Sequence, residues 1–239
     1  MKYTKAVRVS ASLADASSNL SALGLFQIVQ DAVTEMMGKI KIDGVTVRAE
    51  YNAFWAFTRN RTKIFKTMPW NDNLLSVTSF ISVITRATIC VDVSVKDIYG
   101  DCCAYSRIEM CPLDSSTMRI RKVETVGVTQ AITAENAEMD MSFSQIELPQ
   151  MHAEDSVTVR STNIDMSLHT NNVEYLRFIL NTYSVKQLQD KPIREIQIRY
   201  VNQSFENDVL SVMKATVNNK DVFLIKSKDS DVIRCEVTF

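Results

Sequence analysis

The chain is poor in the side chains that most often carry chemistry. Of its 239 residues only two are histidine, His152 and His169, too few for a His-rich metal site. No EF-hand-like spacing of carboxylates occurs, so no calcium loop is expected. The five cysteines, at 90, 102, 103, 111 and 235, are odd in number and include no C-x-x-C pair. That argues against a zinc knuckle and against a redox motif, and they read as buried thiols of a reduced, cytosolic protein. Charge of one sign is also lacking. A formal net charge of −1 supplies no large electrostatic pull toward nucleic acid or an anionic membrane. No window of about 18 uninterrupted apolar residues would span a bilayer. The first twenty residues, MKYTKAVRVSASLADASSNL, lack the apolar centre of a signal peptide. A cytoplasmic protein with no membrane or nucleic-acid partner and no cofactor is the expectation.

What is present is apolar alternation. Hydrophobic residues make up 46% and charged residues 23%, enough for a sizeable core. YTKAVRVSAS (3–12) reads as a strand with Val7 and Val9 on one face. Over 21–37 the period changes: Leu25, Ile28, Val29, Ala32, Val33 and Met36 fall at helical spacing, with Ser21 as N-cap. β-Rich runs follow at 45–65, 73–97 and 100–114, and 116–123 comes after a short turn. The basic residues Arg59, Arg61, Lys63 and Lys66 mostly alternate along one of these strands and read as a solvated face.

Residues 124–155 have weak periodicity, several acids and a proline, and read as a connector. The pattern then restarts, with a strand at 156–165, a helix at 171–183, and strands at 193–202, 209–218, 221–229 and 231–239. Local sequence echoes too: WNDNLLSV (70–77) and FENDVLSV (205–212) share Leu-Ser-Val at a shift of 135 residues. The repeated order implies an α+β protein of two like modules, 1–123 and 156–239, each one long helix on an antiparallel sheet. Their sheets are expected to join edge to edge as a pseudo-dimer, hiding strand edges.

The residues now on the page resemble a known family, the acyl-acyl-carrier-protein (acyl-ACP) thioesterases of bacteria and plant plastids, which are tandem hotdog folds. LFQIVQDAV (25–33) resembles the first-helix motif, FWAFTRNRTKI (54–64) the tryptophan-then-arginine strand, and PWNDNLLSVTSF (69–80) the strand after it. DMSLHTNNVEYLRFIL (165–180) is similar to the motif Asp-x-Asn-x-His-x-Asn-Asn-x-x-Tyr at the second helix. The resemblance covers nearly all the chain except the connector. It implies hydrolysis of a fatty acyl thioester of acyl carrier protein, with Asp165, Ser167, His169 and Gln203 at the catalytic positions. It also implies that Asn171, Asn172 and Trp55 lie on the substrate side, with the acyl chain held by the first module. Two positions depart from the family: Ser167 stands where Asn is usual, and Gln203-Ser204 where plant members have Glu-Cys. No cysteine is therefore available for a papain-like pair.

Hydrolysis needs a polarised carbonyl, a positioned water and a base. The N–H groups at a helix N-terminus carry partial positive charge and suit an oxyanion. Asparagine there is also a favoured N-cap, so Asn171 or Asn172 has a structural reading as well. An unperturbed imidazole titrates near about 6.5, which suits a general base. Asp165 either orients His169 or binds the water, or is simply a turn carboxylate. Gln203 holds a water but cannot accept its proton. Arg59, Arg61 and Lys63 would suit docking of an acidic carrier. The alternatives left open are a catalytically silent acyl-binding module and an acyl-coenzyme A thioesterase. Acyl length and the choice of monomer or homodimer stay open.

Overall fold

A computed structural model describes residues 1–70 and 74–239, so Asn71, Asp72 and Asn73, the last of which opens the run read as a strand at 73–97, lie outside the described residues. The chain divides into two compact units, Met1–Ser142 and Phe143–Phe239.

In the first unit the strands are β1 (Lys2–Arg8), β2 (Ala53–Ile64), β3 (Leu74–Ile84), β4 (Ile89–Lys96) and β5 (Cys102–Asp114), and the helices α1 (Ala22–Lys39) and α2 (Gly44–Tyr51). The sheet order is β1-β3-β4-β5-β2, and each strand pair is antiparallel. Ser21 caps α1 as its sequence suggests, its side-chain oxygen accepting the Gly24 N–H at 2.9 Å. The apolar stripe of α1, from Leu25 through Val33 to Met36, is buried against Leu75, Val77, Val91 and Ile108. Each of these large side chains contributes roughly 1.5–3 kcal/mol by leaving water.

The run 45–65 is not one strand. Val45, Thr46 and Val47 carry β-branched side chains, but Asp43 accepts the N–H groups of Val45 and Thr46 at 3.0 and 3.1 Å and starts the two-turn helix α2. Asn52 ends it in the left-handed region, φ 49°. A good cap outweighed weak strand propensity.

The connector also packs. The Glu135 N–H donates to the Ile81 carbonyl at 2.8 Å and the Glu138 N–H to the Tyr105 hydroxyl oxygen at 3.2 Å. Met141 is buried with Phe80 and Tyr105. These side chains alternate with the core-facing Ile81 and Ala104, so the segment covers the sheet face turned away from α1. On that face Asp92, fully buried, takes two hydrogen bonds from Arg107 at 2.7 and 2.8 Å and one each from Tyr105 and Ser82.

The second unit holds β6 (His152–Thr158), α3 (Asn172–Leu180), α4 (Val185–Asp190), β7 (Glu195–Tyr200), β8 (Val209–Val217), β9 (Lys220–Ser227) and β10 (Ser230–Thr238). Its sheet order is β7-β10-β9-β8-β6, again antiparallel throughout. Counting strands within each unit, first-third-fourth-fifth-second describes both. The Leu-Ser-Val echo falls at matching register: Leu75 lies opposite Val7, and Leu210 opposite Val157. The differences from expectation are local. The strand at 156–165 starts at His152 and ends at Thr158, giving way to a single 3-10 turn at Ser161–Asn163. Its helix, α3, has nine residues against eighteen in α1.

Candidate active site

The site is built on the chain between β6 and α3. A bridge between Ile164 and Thr170 pinches off the loop 165–169. Within it the Asp165 N–H donates to the His169 carbonyl at 2.9 Å, and the Leu168 N–H to the Asp165 carbonyl at 3.0 Å. Asp165 Oδ1 accepts the Ser167 N–H at 2.8 Å, an Asx turn. Leu168 is forced to φ 65°, an uncommon conformation for a γ-branched residue, so the surrounding bonds over-determine the loop. Met166 and Leu168 point to solvent, whereas Asp165, Ser167 and His169 are half-buried.

Asn171 then caps α3. Its carboxamide oxygen accepts the Val173 N–H at 3.0 Å and its carbonyl the Glu174 N–H at 2.9 Å. The helix end is thus partly satisfied by its own cap, and Asn172 occupies the first helical position. The Asn171 N–H is anchored to the Asn163 carbonyl at 2.8 Å, and Asn163 Nδ2 donates to Glu174 Oε2 at 2.8 Å.

The second segment of the site is the loop between β7 and β8. Thr170 donates its N–H to the Ser204 carbonyl at 2.9 Å, and its Oγ1 lies 2.7 Å from Ser204 Oγ. Tyr175, on the first turns of α3, lies 2.8 Å from the same Ser204 oxygen and accepts the Ser204 N–H at 3.1 Å. All three residues are buried. Burial raises the Tyr175 phenol above its ordinary value, with the Ser204 and Thr170 hydroxyls pulling weakly the other way, so it is a protonated donor at any working pH. The Phe205 ring meets the His169 imidazole edge-on, centroids 5.2 Å apart. Gln203, half-buried, immediately precedes Ser204.

Five of the sequence-derived residues, Asp165, Ser167, His169, Asn171 and Asn172, thus sit on one loop and helix start, and Gln203 adjoins the residue clamped to it. Trp55 belongs to the first unit, where its indole N–H donates to the Ile42 carbonyl at 2.7 Å and its ring packs on the core. The basic strand is largely engaged: Arg59 pairs with Glu109 at 3.2 Å, Arg61 donates to the Ser142 carbonyl, and Lys66 bridges Asp97 and Asp101. Sequence reasoning missed Phe205 as part of the site, gave Thr170 and Tyr175 no role although both lie within the quoted motif, and read Ser204 only as a missing cysteine. The signal was there in the first unit. Its loop has the same bridge, Ala14 with Leu20, and the same Asx turn, Asp15 Oδ1 to the Ser17 N–H at 2.8 Å. Among the described residues no group of three or more His, Cys, Asp or Glu is placed to hold a metal ion. All five cysteines are free thiols, four of them buried. No described helix is long and apolar enough to cross a membrane.

Residues 146–237, which contain this loop and helix, match the family described as the acyl-ACP thioesterase C-terminal domain. The whole fold is similar to that of an acyl-ACP thioesterase from Bacteroides thetaiotaomicron, with a TM-score of 0.89 at 20% identity over 100% of this chain and 97% of that one. It is also similar to a 12:0-ACP thioesterase from Umbellularia californica, with a TM-score of 0.87 at 14% identity over 99% of this chain and 96% of that one. No curated protein sequence matches. The chain has a tandem hotdog fold of the α+β class. Its C-terminal unit carries the match to the acyl-ACP thioesterase C-terminal domain.

Proposed function

We propose that the chain is a cytoplasmic thioester hydrolase that releases free fatty acid from acyl carrier protein. One observation carries this reading. The two units build the same pinned loop, but the position that is Asn19 in the first is His169 in the second, where a match to the thioesterase family also falls. An imidazole at the foot of α3 supplies what an asparagine cannot, a group able to take a proton.

In this reading the thioester carbonyl approaches the N-terminus of α3. The Asn172 N–H, left over by the Asn171 cap, and the positive end of the helix dipole stabilise the oxygen as it gains charge. His169 removes a proton from water, the hydroxide oxygen bonds to the carbonyl carbon, and the carbon–sulfur bond breaks. The thiol leaves with a proton returned by the imidazole. Gln203 holds the water without accepting its proton, and Asp165 keeps the loop in shape. Preference for the carrier protein over coenzyme A follows the family's description. The engaged state of Arg59 and Arg61 leaves Lys63 as the basic residue of that strand best suited to a carrier's acidic surface.

A panel of medium- to long-chain acyl-ACPs and acyl-coenzyme A esters, with wild type and His169→Ala, tests it. Wild-type turnover that drops about 100- to 10,000-fold in the variant is expected. A wild type that binds acyl-ACP and never hydrolyses it would instead establish a silent acyl-binding module, the reading that the glutamine at 203 favours.

A further inference from the structure

The second unit carries a buried polar cluster where the first has plain core. Positions 150 residues apart are equivalent in the paired loops and helix starts: Leu20 corresponds to Thr170, and Leu25 to Tyr175. The Leu20 N–H donates to the Met68 carbonyl at 2.7 Å as the Thr170 N–H does to the Ser204 carbonyl, so Met68 corresponds to Ser204. Leu20, Leu25 and Met68 belong to one apolar core. Their counterparts are 4%, 3% and 0% exposed and all bear hydroxyls.

The hydroxyls admit one self-consistent polarity. Tyr175 accepts the Ser204 N–H, so its own O–H is free to donate to Ser204 Oγ. Thr170 Oγ1 donates to the Ser204 carbonyl at 3.1 Å, so it accepts from Ser204 Oγ–H. Each hydroxyl then donates once, and the N–H, carbonyl and side chain of Ser204 are all used. Apolar contacts are non-directional and tolerate sliding, whereas a fully satisfied buried hydrogen-bond network fixes one geometry. His169 directly precedes Thr170 in sequence, and Gln203 directly precedes Ser204.

We infer that Thr170, Ser204 and Tyr175 are positioning residues, which hold His169 and Gln203 at a fixed separation so that water and base meet. The inference rests on His169 acting as the base, and it assigns Ser204 a role with no nucleophilic step. The first unit, which bears Asn19 and no such base, needs no such fixture and keeps its apolar core.

Thr170→Val removes the hydroxyl at nearly constant shape, Thr170→Ser keeps it, and Tyr175→Phe removes the donor to Ser204. Circular dichroism establishes which variants fold. Expected in Thr170→Val and Tyr175→Phe is a fall in kcat of about 10- to 100-fold from misplacement of the reacting groups, with KM within about twofold of wild type. Thr170→Ser should keep most of the wild-type kcat. With two histidines in the chain, the imidazole proton resonances give a second readout that needs no turnover. His169 should shift in the Val and Phe variants while His152, exposed at the start of β6, stays put. A wild type without hydrolysis but with that selective shift would sink the functional reading and leave the positioning intact. Wild-type kcat together with an unshifted His169 in either folded variant overturns the inference, as does an equal loss in Thr170→Ser.

Discussion

Asp15 and Asp165 stand 150 residues apart and share one bond, each Oδ1 accepting the backbone N–H two residues on at 2.8 Å, and Asp15 Oδ1 also accepts the Asn19 N–H at 3.1 Å. The shared duty is conformational, because the first unit has no histidine beside it. Asp15→Ala and Asp165→Ala are each expected to cost up to about 1.5–3 kcal/mol, the range for a hydrogen bond to a charged group, in urea unfolding. Asn at either position keeps the acceptor and should restore most of that stability. Only the changes at 165 should alter acyl-ACP turnover, and equal effects from both sites would show that the loops have no functional difference.

Trp55→Phe keeps the ring and deletes the N–H that satisfies the Ile42 carbonyl at 2.7 Å. A stability loss of about 1–2 kcal/mol is expected, with turnover within about twofold of wild type. A large rise in KM instead would move Trp55 from core residue to substrate contact.

Asp92 is fully buried and holds Arg107 by two hydrogen bonds. Asp92→Ala leaves the guanidinium uncompensated in the sheet, and a loss of about 3–5 kcal/mol is expected. Replacing both residues by apolar ones should recover part of it. Thermal unfolding of the single and double variants gives the comparison.

Acid should weaken the second unit through Asp221. Burial pushes this carboxyl up, but hydrogen bonds from Thr216 and Tyr183 and the Lys214 ammonium outweigh it and hold it below the ordinary carboxylate range. A carboxyl more acidic in the folded than in the unfolded chain stabilises the fold while ionised. That contribution is complete above the unfolded value, about 3.9 for Asp, and is lost as pH falls through the lower folded value. The urea midpoint should therefore drop below about pH 4, and more shallowly in Asp221→Asn, which begins from lower stability. A parallel decline in both proteins would remove Asp221 from the account.

The large pattern was readable in advance because it rests on short-range signals. The Ser21 cap and the α1 stripe lie within the window of one helix, the recurring element order is assembled from such windows one by one, and the Leu-Ser-Val echo turned out to mark one register in both sheets. What escaped was either locally ambiguous or long-range. Val45-Thr46-Val47 looks like a strand until Asp43 is read as a cap. The segment up to Ser142 has no periodicity because it packs through a few residues, such as Met141, rather than through a regular face. Ser204 lies 34 residues from Thr170 and 29 from Tyr175, so no local window joins them. Laying the first unit's loop over the second would have done so, by setting Leu20 and Leu25 against a threonine and a tyrosine.

The unequal helices have one more consequence. At about 1.5 Å per residue α1 runs roughly 27 Å and α3 roughly 14 Å, and short helices lean on tertiary contacts because nucleation is costly. Amide hydrogen exchange should therefore find two protection classes within one chain, with α3 opening in a sub-global step while α1 exchanges only with the whole unit. The half that carries His169 is then the half that breathes, and its pinched loop is kept in register by pins rather than by mass.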